Sequence, residues 1–281
     1  MQAGRPSRTA LAAAAHRAAH QLIEGGRIFA DPLAVRILGQ DEETIRREAN
    51  EHASRRRMRL FIAVRTHFAE SALAAAVAGG ARQVVILGAG LDTFAYRTPR
   101  LEGVRIFEVD HPATQAWKHE RLAAAGIAAP EWLTFAPVDF EAETLARGLA
   151  AADFDGSLET FFMWLGVVPY LTQEAVWSTL GWIAGIPGGA HVVFDYGDPP
   201  KSLSPEARAA HDRGAARVES LGEAWKTYFD PPALHAHLGS IGFSGIEDLG
   251  PPQILARYFP QRPKPWPERG GHVLRATTRN A

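Results

Sequence analysis

An α/β fold around a mainly parallel sheet is what this 281-residue sequence predicts, on three observations. Short apolar, β-branched runs alternate with helical stretches from residue 83 onward. The first run ends in a glycine pair, and a long segment with only helical periodicity precedes it. Strands and helices alternating at this interval imply right-handed crossovers, with helices on both faces of the sheet.

Residues 1–80 read as an N-terminal helical extension. Residues 7–24 are rich in alanine, and residues 56–78 place Leu60, Val64, Phe68, Ala72 and Ala75 at three- and four-residue spacing. Between them, Asp31-Pro32 has the chemistry of a helix start, with aspartate capping and proline in the first turn. His16 and His20 share a helical face but have no acid placed to complete a site, so both read as solvent-facing.

Residues 81–281 carry the sheet. The run from Gln83 to Leu87 suits a strand buried on both faces. Similar runs occupy 104–109, 132–138, 160–164 and 191–195, separated by helical stretches at 111–125, 141–151 and 173–184. Asp198-Pro199-Pro200 stops the fifth strand, and the charged helical region at about 198–232 reads as a lid insertion into one integrated domain. Runs at 243–249 and 272–276 are the expected late strands, which brings the sheet to seven. Trp225 and Phe229 in the insertion are four apart, the spacing of one aromatic wall over a substrate and equally of ordinary packing.

Composition narrows the chemistry. With 30 lysines and arginines against 31 acids, the net charge is −1, which argues against nucleic acid as a partner. Cysteine is absent, so disulfide scaffolds, Cys-ligated zinc, iron–sulfur clusters and thiol catalysis are excluded. His235 and His237 are two apart on a predicted helix and face different ways, so no metal site is expected. The uncharged stretch 175–194 is broken by Gly185, Pro187, Gly188, Gly189 and His191 into a helix, a turn and a strand. No segment reads as a signal peptide or membrane span, and a cytoplasmic location without a membrane partner is expected.

In open sheets of this kind a ligand sits at the carboxyl ends of the strands, so the first strand-to-helix turn is the place to look. Gly88-Ala89-Gly90-Leu91-Asp92-Thr93 lets the backbone turn tightly and approach a ligand closely. A dinucleotide fingerprint would carry a third glycine where Thr93 stands, and no P-loop lysine follows. Glu108 and Asp110 end the second strand about twenty residues on, where acids accept the hydroxyls of a ribose or, alternatively, cap the next helix. Asp139 and Phe140 end the third, placed for an adenine amino group and its face, or for another cap. A glycine turn and acids in this order suit an adenosine without a pyrophosphate. S-adenosylmethionine is the common cofactor of that shape.

These residues resemble the leucine carboxyl methyltransferase family, in particular its bacterial branch of S-adenosylmethionine-dependent enzymes. The likeness runs through Arg82 to Thr93 with Ala95-Tyr96-Arg97, Phe107 to Asp110 with Pro112 and Lys118, and Val138-Asp139-Phe140. It continues in Trp164 to Leu171 and Asp195-Tyr196, in the upstream Arg17-Ala18, Asp31 to Ala34 and Arg65-Thr66, and in the late Gly242-Phe243. The resemblance implies a Rossmann-like class I methyltransferase fold with an N-terminal helical extension and a lid. By the same resemblance Arg65 would hold the cofactor's methionine carboxylate, while Gly88, Gly90 and Asp92 would line its amino-acid portion. Asp110, with Glu108 beside it, would take the ribose, Asp139 and Phe140 the adenine, and the main chain at Trp164 and Leu165 would face the cofactor. Arg65 also reads as a surface arginine continuing the basic run Arg55-Arg56-Arg57. The leucine carboxyl methyltransferases have glutamate where this chain has Leu165, so that group's role does not carry over and a protein-phosphatase substrate is disfavoured.

The expected activity is therefore O-methylation of a small-molecule carboxylate or hydroxyl. A carboxylate nucleophile needs no base at neutral pH, whereas an alcohol or phenol does. No base stands out: Tyr96, His111, Tyr170 and Tyr196 are the weak candidates, and His111 reads equally as the residue opening a helix. Two other readings stay open, a nicotinamide-dependent oxidoreductase and a catalytically degenerate methyltransferase fold that serves as a binding module.

Overall fold

The computed structural model describes residues 7–139, 143–262 and 267–278, so Phe140 lies outside the described residues. Four helices precede the sheet: α1 (Arg8–Ile23), α2 (Ala34–Leu38), α3 (Glu42–Glu51) and α4 (Arg56–Gly79). Ser7 caps α1 by accepting the Ala10 N–H at 3.1 Å, and Asp41 caps α3 through the Thr44 N–H at 2.8 Å. Then follow β1 (Gln83–Leu87), α5 (Phe94–Arg97), β2 (Arg105–Asp110), α6 (Pro112–Ala124), β3 (Leu133–Pro137), α7 (Leu145–Ala151) and β4 (Thr160–Trp164). The chain continues through α8 (Gln173–Ala184), β5 (Ala190–Gly197), α9 (Pro205–Ser220), α10 (Pro231–Ser240), β6 (Phe243–Leu249), α11 (Pro251–Tyr258) and β7 (Gly271–Thr278).

The seven strands lie in the order β3-β2-β1-β4-β5-β7-β6. Neighbours run parallel from β3 through β5, and β7 is antiparallel to both β5 and β6. This is the Rossmann-like, mainly parallel sheet expected from the alternating pattern. Strands β1 and β4 are buried along their whole length, which is why they read as unbroken apolar runs rather than alternating ones.

Successive side chains of a strand point to opposite faces, so each central strand feeds two cores. Val84, Ile86, Phe161 and Met163 meet Val64, Phe68, Ala72 and Leu73 of α4 on one face. Val85, Leu87, Phe162 and Phe194 meet Val176, Leu180 and Leu238 from α8 and α10 on the other. Each such large apolar side chain contributes about 1.5–3 kcal/mol when fully buried. The segment Ala53–Gly79 is long and apolar enough to cross a membrane by length and composition; here its apolar face lies on the sheet. A smaller core of Ala14, Ala18, Ile37, Leu38 and Leu91 fastens α1 and α2 beside the first strand's turn.

Helix α2 starts at Ala34, and Asp31 opens its turn as expected, its Oδ1 accepting the Leu33 N–H at 3.1 Å and its carbonyl the Ala34 N–H at 3.2 Å. The buried Asp31 carboxylate also accepts from Arg17 (3.3 Å) and Thr93 (2.7 Å). Two local expectations are corrected. His20 is likewise buried, bonded to Glu24 across one helical turn at 3.3 Å, and His16 is half-buried, so neither is solvent-facing. Within residues 198–232, α9 stops at Ser220 and residues 223–230 form neither helix nor strand. Trp225 and Phe229 therefore do not share a helical face.

Candidate functional site

The order of strands reverses between β1 and β4, and the turns after these two strands flank the crevice where a sheet of this type holds its ligand. Gly88 and Gly90 adopt φ values of 64° and 44°, a backbone conformation that favours glycine. A Cβ on Gly88 would collide with Val167 beyond β4, and one on Gly90 would stand 2.9 Å from the Ala10 Cβ of α1. The turn is thus enclosed by the β4 loop on one side and by α1 on the other.

Asp110 fixes this turn. Its Oδ2 accepts the Gly90 N–H at 2.6 Å and its Oδ1 the His111 N–H at 2.7 Å. Burial raises its pKa, against the pull of those two N–H groups. Each carboxylate oxygen can accept a second hydrogen bond, so Asp110 retains capacity for hydroxyl donors. Asp92 accepts the Phe94 N–H at 2.7 Å and starts α5. Thr93, where a dinucleotide site would have glycine, donates to Asp31, and Arg17 donates to the Leu91 carbonyl. The N-terminal extension therefore grips the glycine turn from outside.

Arg65 comes from α4 to the other end of the crevice. Its Nη1 donates to Asp195 Oδ2 at 2.7 Å, and Asp195 Oδ1 accepts the Gly166 N–H at 2.5 Å. Gly166 has a φ of 73° and lies against the guanidinium, where a Cβ would stand 2.7 Å from Arg65 Nη2. Arg65 Nε is buried without a hydrogen-bond partner. A donor left in that state costs about 1–3 kcal/mol, which an incoming acceptor would recover. Trp164, at the tip of β4, turns into the core beside Phe194, and Leu165 is half-buried against the α4 face. Tyr170 stands near Arg65, Asp195 and Glu223 and shares a hydrogen bond with Trp225. Burial raises its pKa, so it remains protonated at neutral pH.

The segment after α9 meets the N-terminal end of α1 at Glu223. Glu223 accepts from Ser7 Oγ (2.9 Å), the Arg8 N–H (2.7 Å) and Thr9 Oγ1. Trp225 packs on Gly214 of α9 and near His211. Helix α9 has no buried residue.

Other expected site residues are placed elsewhere. Glu108 is fully buried, paired with Lys118 Nζ at 2.7 Å and accepting from Tyr96 at 3.1 Å. Burial pushes Glu108 up to about 7 against the opposing Lys118 charge, and burial with Glu108 nearby raises Tyr96. Tyr196 donates to Asp248 at 2.5 Å and stacks on His272. Phe229 packs between Trp177 and Tyr196. His111 caps α6 by accepting the Ala113 N–H at 3.1 Å, and its ring lies 3.9 Å from Asp139. Among the described residues no cluster of histidines and acids could hold a metal ion. Asp195 was absent from the expected cofactor-binding residues. Its signal was an acid in the otherwise apolar fifth strand, beside the Tyr196 that shares its motif.

Fold and strand-tip geometry together define a Rossmann-like α/β protein with its crevice at the switch in strand order. The model of one family, described as leucine carboxyl methyltransferase, matches residues 10–184. The chain belongs to that family. It is 36% identical over 185 residues to the "Putative S-adenosyl-L-methionine-dependent methyltransferase YktD" of Bacillus subtilis, covering 65% of this chain and 60% of the relative. A Streptomyces coelicolor relative given the same name, with the designation SCO7813, is 42% identical over 130 residues, 45% of each chain. The chain thus spans less than two thirds of the length of these relatives. The crystal structure of the N-terminal domain of EvdMO1 with SAH bound superposes with a TM-score of 0.45 at 18% identity, covering 75% of this chain and 81% of that one.

Proposed function

We propose that this protein transfers a methyl group from S-adenosylmethionine to an oxygen of a small-molecule acceptor in the cytoplasm. The observation that carries the reading is one glycine-lined crevice with a buried cation, Arg65, at one end and a half-buried acid, Asp110, at the other. A cofactor with a carboxylate at one end and a ribose diol beyond it matches that polarity. Arg65 fits the carboxylate through its unpartnered Nε, held in place by Asp195. Gly88 and Gly90 leave the cradle free of side chains, and Asp110 offers its remaining lone pairs to the hydroxyls. Asp139, two residues beyond β3, is the acid this reading assigns to the adenine. Relatives bearing the methyltransferase name support the same reading.

The chemistry the cofactor supplies when bound is an electrophilic methyl carbon, taken by the acceptor oxygen as the carbon–sulfur bond breaks. The chain's own part is alignment and exclusion of water, and orientation of this kind is worth roughly 7–11 kcal/mol. Residues 198–232 act as the lid, with Glu223 tying it to α1. Tyr170, kept protonated by burial, orients the acceptor as a donor and does not remove its proton. An acceptor already ionised at neutral pH needs no base, which favours a carboxylate.

Calorimetry with S-adenosylhomocysteine tests the cofactor. Arg65→Ala and Asp110→Ala should each weaken binding about 10- to 100-fold, the loss of one charge-assisted contact of about 1.5–3 kcal/mol. Tighter binding of NAD than of S-adenosylhomocysteine would reverse the reading in favour of an oxidoreductase. Labelled methyl released by mild alkali identifies a methyl ester, and an alkali-stable product identifies an ether.

A further inference from the structure

Residues 90, 91 and 93 of the glycine turn are buried, and each touches the segment 7–38 that carries α1 and α2. Gly90 lies against α1, where a Cβ would stand 2.9 Å from the Ala10 Cβ. The Leu91 carbonyl accepts from Arg17, and the Leu91 side chain packs with Ala14, Ala18 and Ile37. The Thr93 hydroxyl donates to Asp31 at 2.7 Å and accepts from Arg97 Nε at 3.2 Å.

Asp31 is the centre of these contacts. Its Oδ2 accepts from both Arg17 Nε and Thr93, and its Oδ1 from the Leu33 N–H. Gln21 of α1 fixes the same segment, accepting the Asp31 N–H at 2.9 Å and donating to the Phe29 carbonyl at 3.0 Å. From the other side Arg97, in α5, reaches back. It bonds to Glu70 of α4, lies 3.9 Å from Asp31 Oδ1 and covers the Phe29 ring at 4.7 Å. One carboxylate thus holds two guanidinium groups, one from α1 and one from the element that follows the turn. Such a buried cluster keeps its geometry only while its partners stay together, because a charge left alone in it is costly. Asp31 and Thr93 are each 1% exposed, so they act on a ligand through the turn and not by touching it.

We propose that Asp31 and Thr93 are positioning residues for S-adenosylmethionine, and that through them docking of residues 7–38 and binding of the cofactor are one coupled equilibrium. The inference rests on the methyl-transfer reading, which seats the cofactor on Gly88 and Gly90. A ligand on that turn meets it in the conformation that the docked segment imposes. Binding therefore tightens the docking by the same factor by which docking tightens binding. Position 93 is where a dinucleotide site carries glycine, and here its hydroxyl is the latch between the two parts.

Hydrogen exchange on the full chain, with and without saturating S-adenosylhomocysteine, reads the coupling from the docked segment. Amides of α1 between Ala14 and His20 should slow by about fivefold or more, the low end of ordinary coupling between sites. Those of α10, which packs on the other core, are the reference and should keep their rates. Thr93→Val keeps the side chain's shape and removes the hydroxyl. It should weaken S-adenosylhomocysteine in calorimetry by about fivefold or more and erase the extra protection of α1. Thr93→Ser, which restores the hydroxyl, should recover both. Asp31→Asn, the second variant, removes the charge shared by the two guanidinium groups and should weaken binding by a similar factor. A purely structural residue would lower the unfolding midpoint and leave the affinity of the folded chain unchanged, and that result overturns the assignment. Equal slowing of α1 and α10 in the unsubstituted chain overturns it even where a variant fails to fold. Absence of binding heat from the unsubstituted chain overturns the methyl-transfer reading instead, whereas heat without protection of α1 overturns the coupling alone.

Discussion

Glu108 and Asp110 are two residues apart on one strand, yet their surroundings give them different work. Asp110 reaches the strand tip and organises the glycine turn through two N–H groups. Glu108 stays below it with Lys118 and Tyr96, sealed from solvent. A buried pair of this kind is weak evidence of net stabilisation, but removing one partner strands the other charge. Lys118→Met should therefore cost about 3–5 kcal/mol in denaturant unfolding. Adding Glu108→Gln to it should recover a large part of the loss. A single substitution that leaves the unfolding midpoint unchanged would show that the pair carries no charge in the folded chain.

Helix α9 lacks a buried anchor, and the segment that follows it is tied by Glu223 to the start of α1. Glu223→Ala should release that tie and speed dissociation of S-adenosylhomocysteine several-fold in stopped-flow measurements. Thermal stability should fall by only about 1 kcal/mol, the usual value of a helix cap. Equal dissociation rates in the two proteins would show that the lid does not retain the ligand. At this scale the sequence was most legible where packing is local. The runs at 83–87, 160–164 and 243–249 are the observed strands residue for residue, and in the first two burial on both faces leaves an unbroken apolar run. Helix α7 was blurred, with Thr144 capping it at Leu145 later than the charge pattern suggested.

Across the whole molecule, the far edge of the sheet is held by a charged knot. His272 meets Asp198 at 3.1 Å and Asp248 at 2.9 Å, with Tyr196 and His235 completing the group. Burial opposes the His272 charge, but hydrogen bonds to Asp198 and Asp248 outweigh it and raise the pKa to about 9. A folded value above the ordinary 6.5 means this contribution is full below pH 6.5 and is lost as pH rises through 9. Asp198 and Asp248 are held below their ordinary value despite burial, so their share fades as acid titrates them. Thermal melts from pH 6 to 10 should show the advantage over His272→Gln shrinking toward the alkaline end. A constant difference between the two proteins would contradict the charged assignment.

None of that knot was legible in the sequence, nor was the pairing of Arg65 with Asp195, 130 residues apart, or of Thr93 with Asp31, 62 apart. Periodicity reports only neighbours along the chain, and these partners meet because the sheet brings distant segments together. The glycine turn and Asp110 were legible because their spacing belongs to one strand–turn–strand unit. The same long reach sets the order in which the protein is finished during synthesis. The opening helix emerges first, but its amino end waits for a carboxylate 216 residues downstream of Ser7. A nascent chain that stalls short of Glu223 leaves the hydroxyls of Ser7 and Thr9 without that carboxylate, however complete its central strands.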